Sequence, residues 1–212
     1  MNNARTIGLD LSGHLEGSVC AELDRRLKKS GCVDGRARIT FLDEAPSEKW
    51  PGGAPERQIG LHINIGEHRS LPSPFRLTVS PYPVNSHSPI AGVKSCNYLE
   101  NVLAIRDAKE RGSHEAVRVN ERGHITGGCM ANVFWLKGNR LYTPALTTGC
   151  LPGTTREYVL ENLECEEVEA EIGELSDAEA VFLTSAGLGV IRADILDGRA
   201  MPAGVHAIQQ LI

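Results

Sequence analysis

The 212-residue sequence contains no apolar stretch approaching the roughly 18 residues that a membrane-spanning helix requires. The opening segment, MNNARTIGLD, lacks the apolar core of a secretory signal. A cytoplasmic protein without a membrane partner is therefore expected. Charge of one sign is also scarce: 22 Lys and Arg against 27 Asp and Glu leave a net −5 with no long run of either. Nothing in that balance draws the chain to nucleic acid. The six cysteines (Cys20, Cys32, Cys96, Cys129, Cys150 and Cys165) form no C-x-x-C pair and have no histidine nearby at zinc spacing. No metal is expected, and most of the cysteines read as small buried thiols. Repeats and low-complexity tracts are missing too.

What is present is a globular balance, 41% hydrophobic and 23% charged, in a length that suits one ordinary domain or two small lobes. Val19, Leu23 and Leu27 recur at helical spacing and predict an amphipathic helix from Glu16 to Ser30, ended by Gly31. Arg36 to Leu42 and Gly60 to Ile65 alternate as strands, around a Pro/Gly-rich excursion from Ala45 to Pro55. The polar, proline-interrupted stretch His68 to Pro74 predicts a boundary between a small lobe, residues 1–70, and a larger one, residues 74–212. Beyond it a strand at Phe75 to Ser80 precedes a helix over Asn97 to Arg111, stopped by Gly112. An antiparallel meander is then expected: Glu115 to Val119, Gly123 to Thr126, Asn132 to Lys137 and Arg140 to Thr143, with a tight turn at Gly138-Asn139. A helix opens near Gly153, and strands follow at Glu164 to Ala170, Ala180 to Thr184 and Val190 to Leu196, before a short helix from about Pro202. The fold class is α+β.

Three segments could carry chemistry. Lys94, in IAGVKSCNY between a strand and a helix, could lose hydration and expose a nucleophilic amine, although most lysines in such settings are simply solvated. Cys150-Leu151-Pro152-Gly153-Thr154-Thr155-Arg156 is a glycine turn feeding a helix, whose free N–H groups and threonine hydroxyls suit a phosphate. Taken alone, an ordinary helix start capped by Thr154 or Thr155 is the commoner reading of the same residues. Thr184-Ser185-Ala186-Gly187 ends a strand in small residues, which allow close backbone approach or form a plain turn.

Taken in order, these segments resemble the class IV aminotransferases, the fold type IV pyridoxal-phosphate enzymes, and in particular the D-amino-acid aminotransferases and aminodeoxychorismate lyases. Lys94 to Leu99 with Asn101 to Ala104, Ala131-Asn132-Val133-Phe134-Trp135, Leu141-Tyr142-Thr143-Pro144 and Gly153 to Arg156 carry the likeness, which spans residues 75–200. The resemblance implies a two-lobed fold, a homodimer, a small amino substrate and pyridoxal 5′-phosphate as cofactor, held by Lys94 as a Schiff base. It implies that Leu151 packs on the pyridine ring and that Gly153, Thr154, Thr155, Ser185 and Ala186 surround the phosphate. Tyr98 falls where branched-chain aminotransferases place a tyrosine by the phenolic oxygen; core packing is its other reading.

Two departures bear on activity. Where the family brings a glutamate to the pyridine nitrogen, this sequence has Gly127, within Ile125-Thr126-Gly127-Gly128-Cys129-Met130, and Glu121 is the nearest carboxylate along the chain. An ion pair in a partly buried site is worth about several kcal/mol before desolvation is set against it. The stretch Met1 to Leu9 resembles the segment directly after the family's phosphate-binding arginine, so the small lobe is expected to be incomplete, and Arg5 does not match that arginine. Arg38 could hold a substrate carboxylate bidentately or lie on a solvent face. Transamination or lyase chemistry on an amino substrate is the leading expectation. A non-catalytic member that keeps the fold as a binding or dimerisation module is the other.

Overall fold

A computed structural model describes residues 2–14, 16–45, 58–68, 70–202 and 206–211. The chain divides into two compact units, Met1–Ser70 and Leu71–Ile212. In the first, a short helix α1 (Asn2–Thr6) and the longer α2 (Glu16–Ser30) precede strands β1 (Gly35–Asp43) and β2 (Ile59–Glu67), which pair antiparallel with Ile39 opposite Ile63. Leu11 and Ile63 are the buried side chains of this unit among the described residues. The Ala45 to Pro55 excursion lies outside the described residues beyond Ala45 itself.

The second unit begins with β3 (Arg76–Val79), α3 (Leu99–Glu110), β4 (Glu115–Val119) and β5 (Ile125–Gly128). It continues through β6 (Asn132–Lys137), β7 (Arg140–Pro144), α4 (Thr154–Asn162) and β8 (Cys165–Val168). It closes with β9 (Ala180–Ser185), β10 (Gly189–Arg192), β11 (Ile195–Leu196) and β12 (Arg199–Ala200). These form two five-stranded sheets, in the orders β10-β9-β6-β7-β8 and β12-β11-β3-β4-β5.

The core explains why the sheets lie together. Along β6, alternate residues point to opposite faces. Val133 and Trp135 join Val181 and Leu183 of β9, with Leu77, Val117 and Ile125 of the other sheet, in one cluster. Phe134 and Leu136 point the other way and join Phe182 and Val159 of α4 in a second. Burying a side chain of this size contributes roughly 1.5–3 kcal/mol. On the far face of the second sheet, Ala104 and Ala108 of α3 pack against Ala116 and Cys129. Small residues on both sides let the helix sit close.

Several expectations are corrected. The meander from Glu115 to Thr143 is divided between sheets, because β4 and β5 belong to one and β6 and β7 to the other. The apolar run Val190 to Leu196 is two strands: Asp194 interrupts it, its carboxylate accepting the Phe75 amide at 2.6 Å, and the chain crosses from β10 in one sheet to β11 in the other. Of the six cysteines only Cys129 and Cys150 are buried. The helix expected from Pro202 is a single 3-10 turn at Ala207–Gln210, beyond an undescribed segment.

Candidate active site

Lys94 lies in the long connection between β3 and α3. That segment first runs beside β4, with the Ser80 amide donating to Val117 and the Val84 amide to Val119, both at 2.8 Å. It then turns back through a chain of short-range bonds at Asn85 to Val93. Glu121 anchors the turn: its carboxylate accepts from the Ser86 hydroxyl at 2.6 Å and the Ser86 amide at 2.8 Å, which hold its pKa down at about 2. The carboxylate nearest Gly127 along the chain is therefore committed to the lysine loop. The Lys94 side chain is exposed, the commoner of the two settings read from its sequence neighbourhood. Its Nζ donates to the Tyr98 hydroxyl at 3.2 Å and lies 5.8 Å from the centre of that ring. Tyr98 is half-buried at the start of α3.

Two glycines seat this loop against the entrance to α4. A Cβ on Gly92 would stand 3.2 Å from the Cys150 carbonyl oxygen, and one on Gly149 only 3.1 Å from the Ser86 Cα. Both residues have positive φ, +70° and +90°, so a side chain at either would meet steric strain and crowding together. The loop that carries Lys94 thus touches the segment leading to Leu151 and Gly153.

At the entrance itself, Gly153 starts α4 with extended backbone and no side-chain cap. The amides of the first turn keep their donors available, and the helix dipole places partial positive charge there. Leu151 is half-buried, Thr154 exposed and Thr155 buried. Asn132 fixes the turn: its Nδ2 donates to the Leu151 carbonyl at 2.7 Å, and a Cβ on Gly153 would lie 2.2 Å from its Oδ1. A side chain there would push Asn132 off its bond to Leu151. Asn132 stands opposite Thr184 in the β6–β9 ladder, immediately before Ser185 (half-buried) and Ala186 (exposed). The glycine turn, β6 and the end of β9 are brought together by that one asparagine. Arg156, buried in the first turn of α4, is turned to the Pro144 carbonyl and pairs with Glu167.

Gly127 is buried on β5, and its partner across the ladder is Arg118 of β4. The Arg118 guanidinium is buried and donates to Asn101 Oδ1 at 2.7 Å, to the Tyr82 and Pro83 carbonyls, and to Glu100. Asn101 in turn donates to the Cys129 carbonyl at 2.6 Å, tying α3 to the end of β5. Glu115 is a buried carboxylate that accepts from the amides of Ala116, Cys129 and Met130. Burial pushes its pKa up against the pull of those donors. Burial also pushes the Cys129 and Cys150 thiols up, so neither is a ready nucleophile. Arg38 belongs to the other unit, exposed on β1 opposite Asn64. Sequence reading assigned no role to Glu115 or Arg118 and took Thr184 only as the first residue of the small-residue strand end; the available signal was a polar residue inside an otherwise apolar strand.

A groove of about 750 Å³ lined by Trp135, Lys137, Arg140, Tyr142, Glu169 and Glu174, among others, lies elsewhere, and none of the residues above lines it. Among the described residues no group of three or more His, Cys, Asp or Glu could hold a metal ion, and no helix is long and apolar enough to cross a membrane.

Two packed sheets, a lysine loop seated beside an uncapped helix start and a small-residue strand end define an arrangement suited to a phosphate-bearing carbonyl cofactor. The profile described as amino-transferase class IV matches residues 12–195, and the chain belongs to that family. It is 30% identical to an aminodeoxychorismate lyase of Bacillus subtilis over 80% of this chain and 60% of that protein. It is 36% identical to a D-alanine aminotransferase of Bacillus licheniformis over 53% of this chain and 41% of that protein. The chain thus spans less than two thirds of the length of these relatives. Among solved structures, one from Legionella pneumophila provisionally assigned as a 4-amino-4-deoxychorismate lyase superposes with a TM-score of 0.88 at 27% identity, covering 99% of this chain and 79% of that one. An aminotransferase from Brucella abortus bound to the cofactor PLP shares the fold, with a TM-score of 0.80 at 22% identity over 99% of this chain and 77% of that one.

Proposed function

We propose that this protein uses pyridoxal 5′-phosphate to act on an amino acid or a related small amino compound, by transamination or by the elimination that gives an aminodeoxychorismate lyase its name. The observation that carries this reading is the contact between the Lys94 loop and the α4 entrance through Gly92 and Gly149. It sets an accessible amine beside a helix start that suits a phosphate. The residues fit the cofactor: the first turn of α4 has no side-chain cap, and a Cβ on Gly153 would displace Asn132.

When bound, pyridoxal phosphate supplies an electron-withdrawing ring that stabilises negative charge on the carbon beside the amino group. Lys94 holds the cofactor covalently through Nζ and, once released, moves a proton between reacting atoms. Tyr98, whose oxygen accepts from Nζ, orients the amine. The amides of Thr154 and Thr155, with the Thr155 hydroxyl, bind the phosphate, and Ser185 and Ala186 bring the end of β9 up to it. Leu151 packs on the ring and Asn132 positions the turn; Arg38, exposed on β1, is the candidate for a substrate carboxylate. A homodimer is part of the proposal, supported by the exposed Leu99, Val102 and Leu103 on one side of α3; so is a cytoplasmic location.

One observation favours a second reading. Gly127 presents no carboxylate, so a member of the family that binds the cofactor without turning substrate over would keep every other feature. Adding pyridoxal phosphate and following the visible absorption band, then adding a panel of amino acids, separates the two. A band that amino acids convert supports catalysis. A stable band that none of them shifts supports the binding protein.

A further inference from the structure

Arg118 is a charged residue in a position that its neighbours make apolar. By alternation its side chain leaves β4 on the face where Ala116 packs against Ala104 and Ala108 of α3. That side chain is 5% exposed, whereas its carboxylate partner, Glu100, is 73% exposed. Withdrawing a charge from water is costly, and an apolar side chain of similar length would fill the space without that cost. What the guanidinium gains is a set of partners from two stretches of chain. Its Nε and Nη2 donate to the Tyr82 carbonyl at 3.4 and 3.3 Å, and Nη2 also donates to the Pro83 carbonyl at 3.2 Å. Its Nη1 donates to Asn101 Oδ1 at 2.7 Å, and Nη2 reaches the Glu100 carboxylate at 3.2 Å. Tyr82 and Pro83 precede Lys94; Glu100 and Asn101 follow it, in the first turn of α3. One side chain on a strand therefore holds both ends of the segment that carries the amine. From that first turn, the Val102 amide donates to the Tyr98 carbonyl at 2.8 Å, and the Tyr98 hydroxyl accepts from Lys94 Nζ.

We propose that Arg118 is a positioning residue for Lys94: its guanidinium fixes the two ends of the lysine segment, and with them the direction from which the amine meets a carbonyl carbon. It acts through Asn101, Tyr98 and the Tyr82 and Pro83 carbonyls and touches no ligand itself. The use of the amine rests on the cofactor reading above; the hold on the segment does not. A planar fork is needed because its donors point to several acceptors at once, which the compact ammonium of a lysine cannot do.

The experiment compares wild type with Arg118→Met, Arg118→Lys and Leu175→Ala, the last a destabilising change in the core between the sheets. Two probes are used. Pyridoxal phosphate can join Lys94, its aldehyde carbon bonding to Nζ with loss of one water. Pyridoxine 5′-phosphate carries an alcohol in place of the aldehyde and cannot. Amide hydrogen exchange over residues 84–98 is measured on the cofactor-free proteins. Arg118→Met is expected to bind pyridoxine phosphate as wild type does, to join pyridoxal phosphate about tenfold more slowly, and to exchange about tenfold faster over residues 84–98. Arg118→Lys keeps the charge and loses the fork, so it too is expected to join several-fold more slowly. Leu175→Ala is expected to lower the melting temperature without changing the joining rate or that exchange. The proposal is overturned if both Arg118 variants join pyridoxal phosphate at the wild-type rate, if they lose pyridoxine phosphate to the same extent, or if Leu175→Ala slows joining equally. Wild type that joins no pyridoxal phosphate refutes the cofactor reading, and exchange then decides the hold on the segment by itself. Faster exchange over residues 84–98 in the Arg118 variants alone supports it, and unchanged exchange refutes it.

Discussion

Arg118 stands directly opposite Gly127 in the β4–β5 ladder, a buried guanidinium facing a residue with no side chain. A carboxylate introduced at Gly127 would meet that positive charge and stay ionised at neutral pH. Gly127→Glu is therefore a direct test of whether a missing carboxylate limits the chemistry. We predict that the variant converts bound cofactor with a reactive amino acid at least about tenfold faster in single turnover, the scale set by one ion pair in a partly buried site. Some stability is lost, because the new Cβ would lie 3.2 Å from the Ala131 carbonyl oxygen. An unchanged rate with the cofactor still bound would show that ring protonation is not limiting here.

Glu115 gives a pH-dependent prediction. Its folded pKa is raised above the ordinary 4.5 by burial. Its contribution to stability is thus fully present below 4.5 and is lost as pH rises through the folded value. Glu115→Gln removes the charge and one acceptor for the backbone amides of Ala116, Cys129 and Met130. The melting temperature of wild type minus that of Glu115→Gln should fall as pH rises above 4.5 and level off once pH has passed the folded value. A difference that stays flat, or one that grows, contradicts the burial account.

Much of the fold was legible because its signals are local. The stripe of Val19, Leu23 and Leu27 fixes α2 at the bounds expected, Glu16–Ser30. Gly138 and Asn139 both take positive φ, 58° and 62°, as a two-residue hairpin turn demands. Sheet membership was not legible. Val190 to Leu196 reads as one apolar run, yet the Asp194 bond to the Phe75 amide passes the chain between sheets, and that partner lies far away in sequence. The site divides in the same way. Lys94 and the Gly153 turn are signalled by their immediate neighbours. Arg118 and Thr184 are polar residues on strands whose burial comes from α3 and α4 covering the outer faces of the sheets; Glu115 alternates in phase with the core residue Val117, and its burial comes with the amides of Ala116, Cys129 and Met130 that it accepts from.

Arg38 yields a prediction that separates substrate binding from cofactor binding. If its guanidinium holds the substrate carboxylate, Arg38→Met should raise KM for an amino acid substrate about tenfold or more, with kcat less affected and the dissociation constant for pyridoxal phosphate unchanged. A variant with unaltered steady-state kinetics assigns Arg38 to the solvent face of β1.

The central claim is that Lys94 holds the cofactor. The direct measurement is to saturate the protein with pyridoxal phosphate, reduce with borohydride, digest, and locate the phosphopyridoxyl group by mass spectrometry. The account predicts a single modified peptide, carrying the group on Lys94, and its disappearance in Lys94→Ala. Modification of a different lysine, or equal incorporation into the alanine variant, would contradict it.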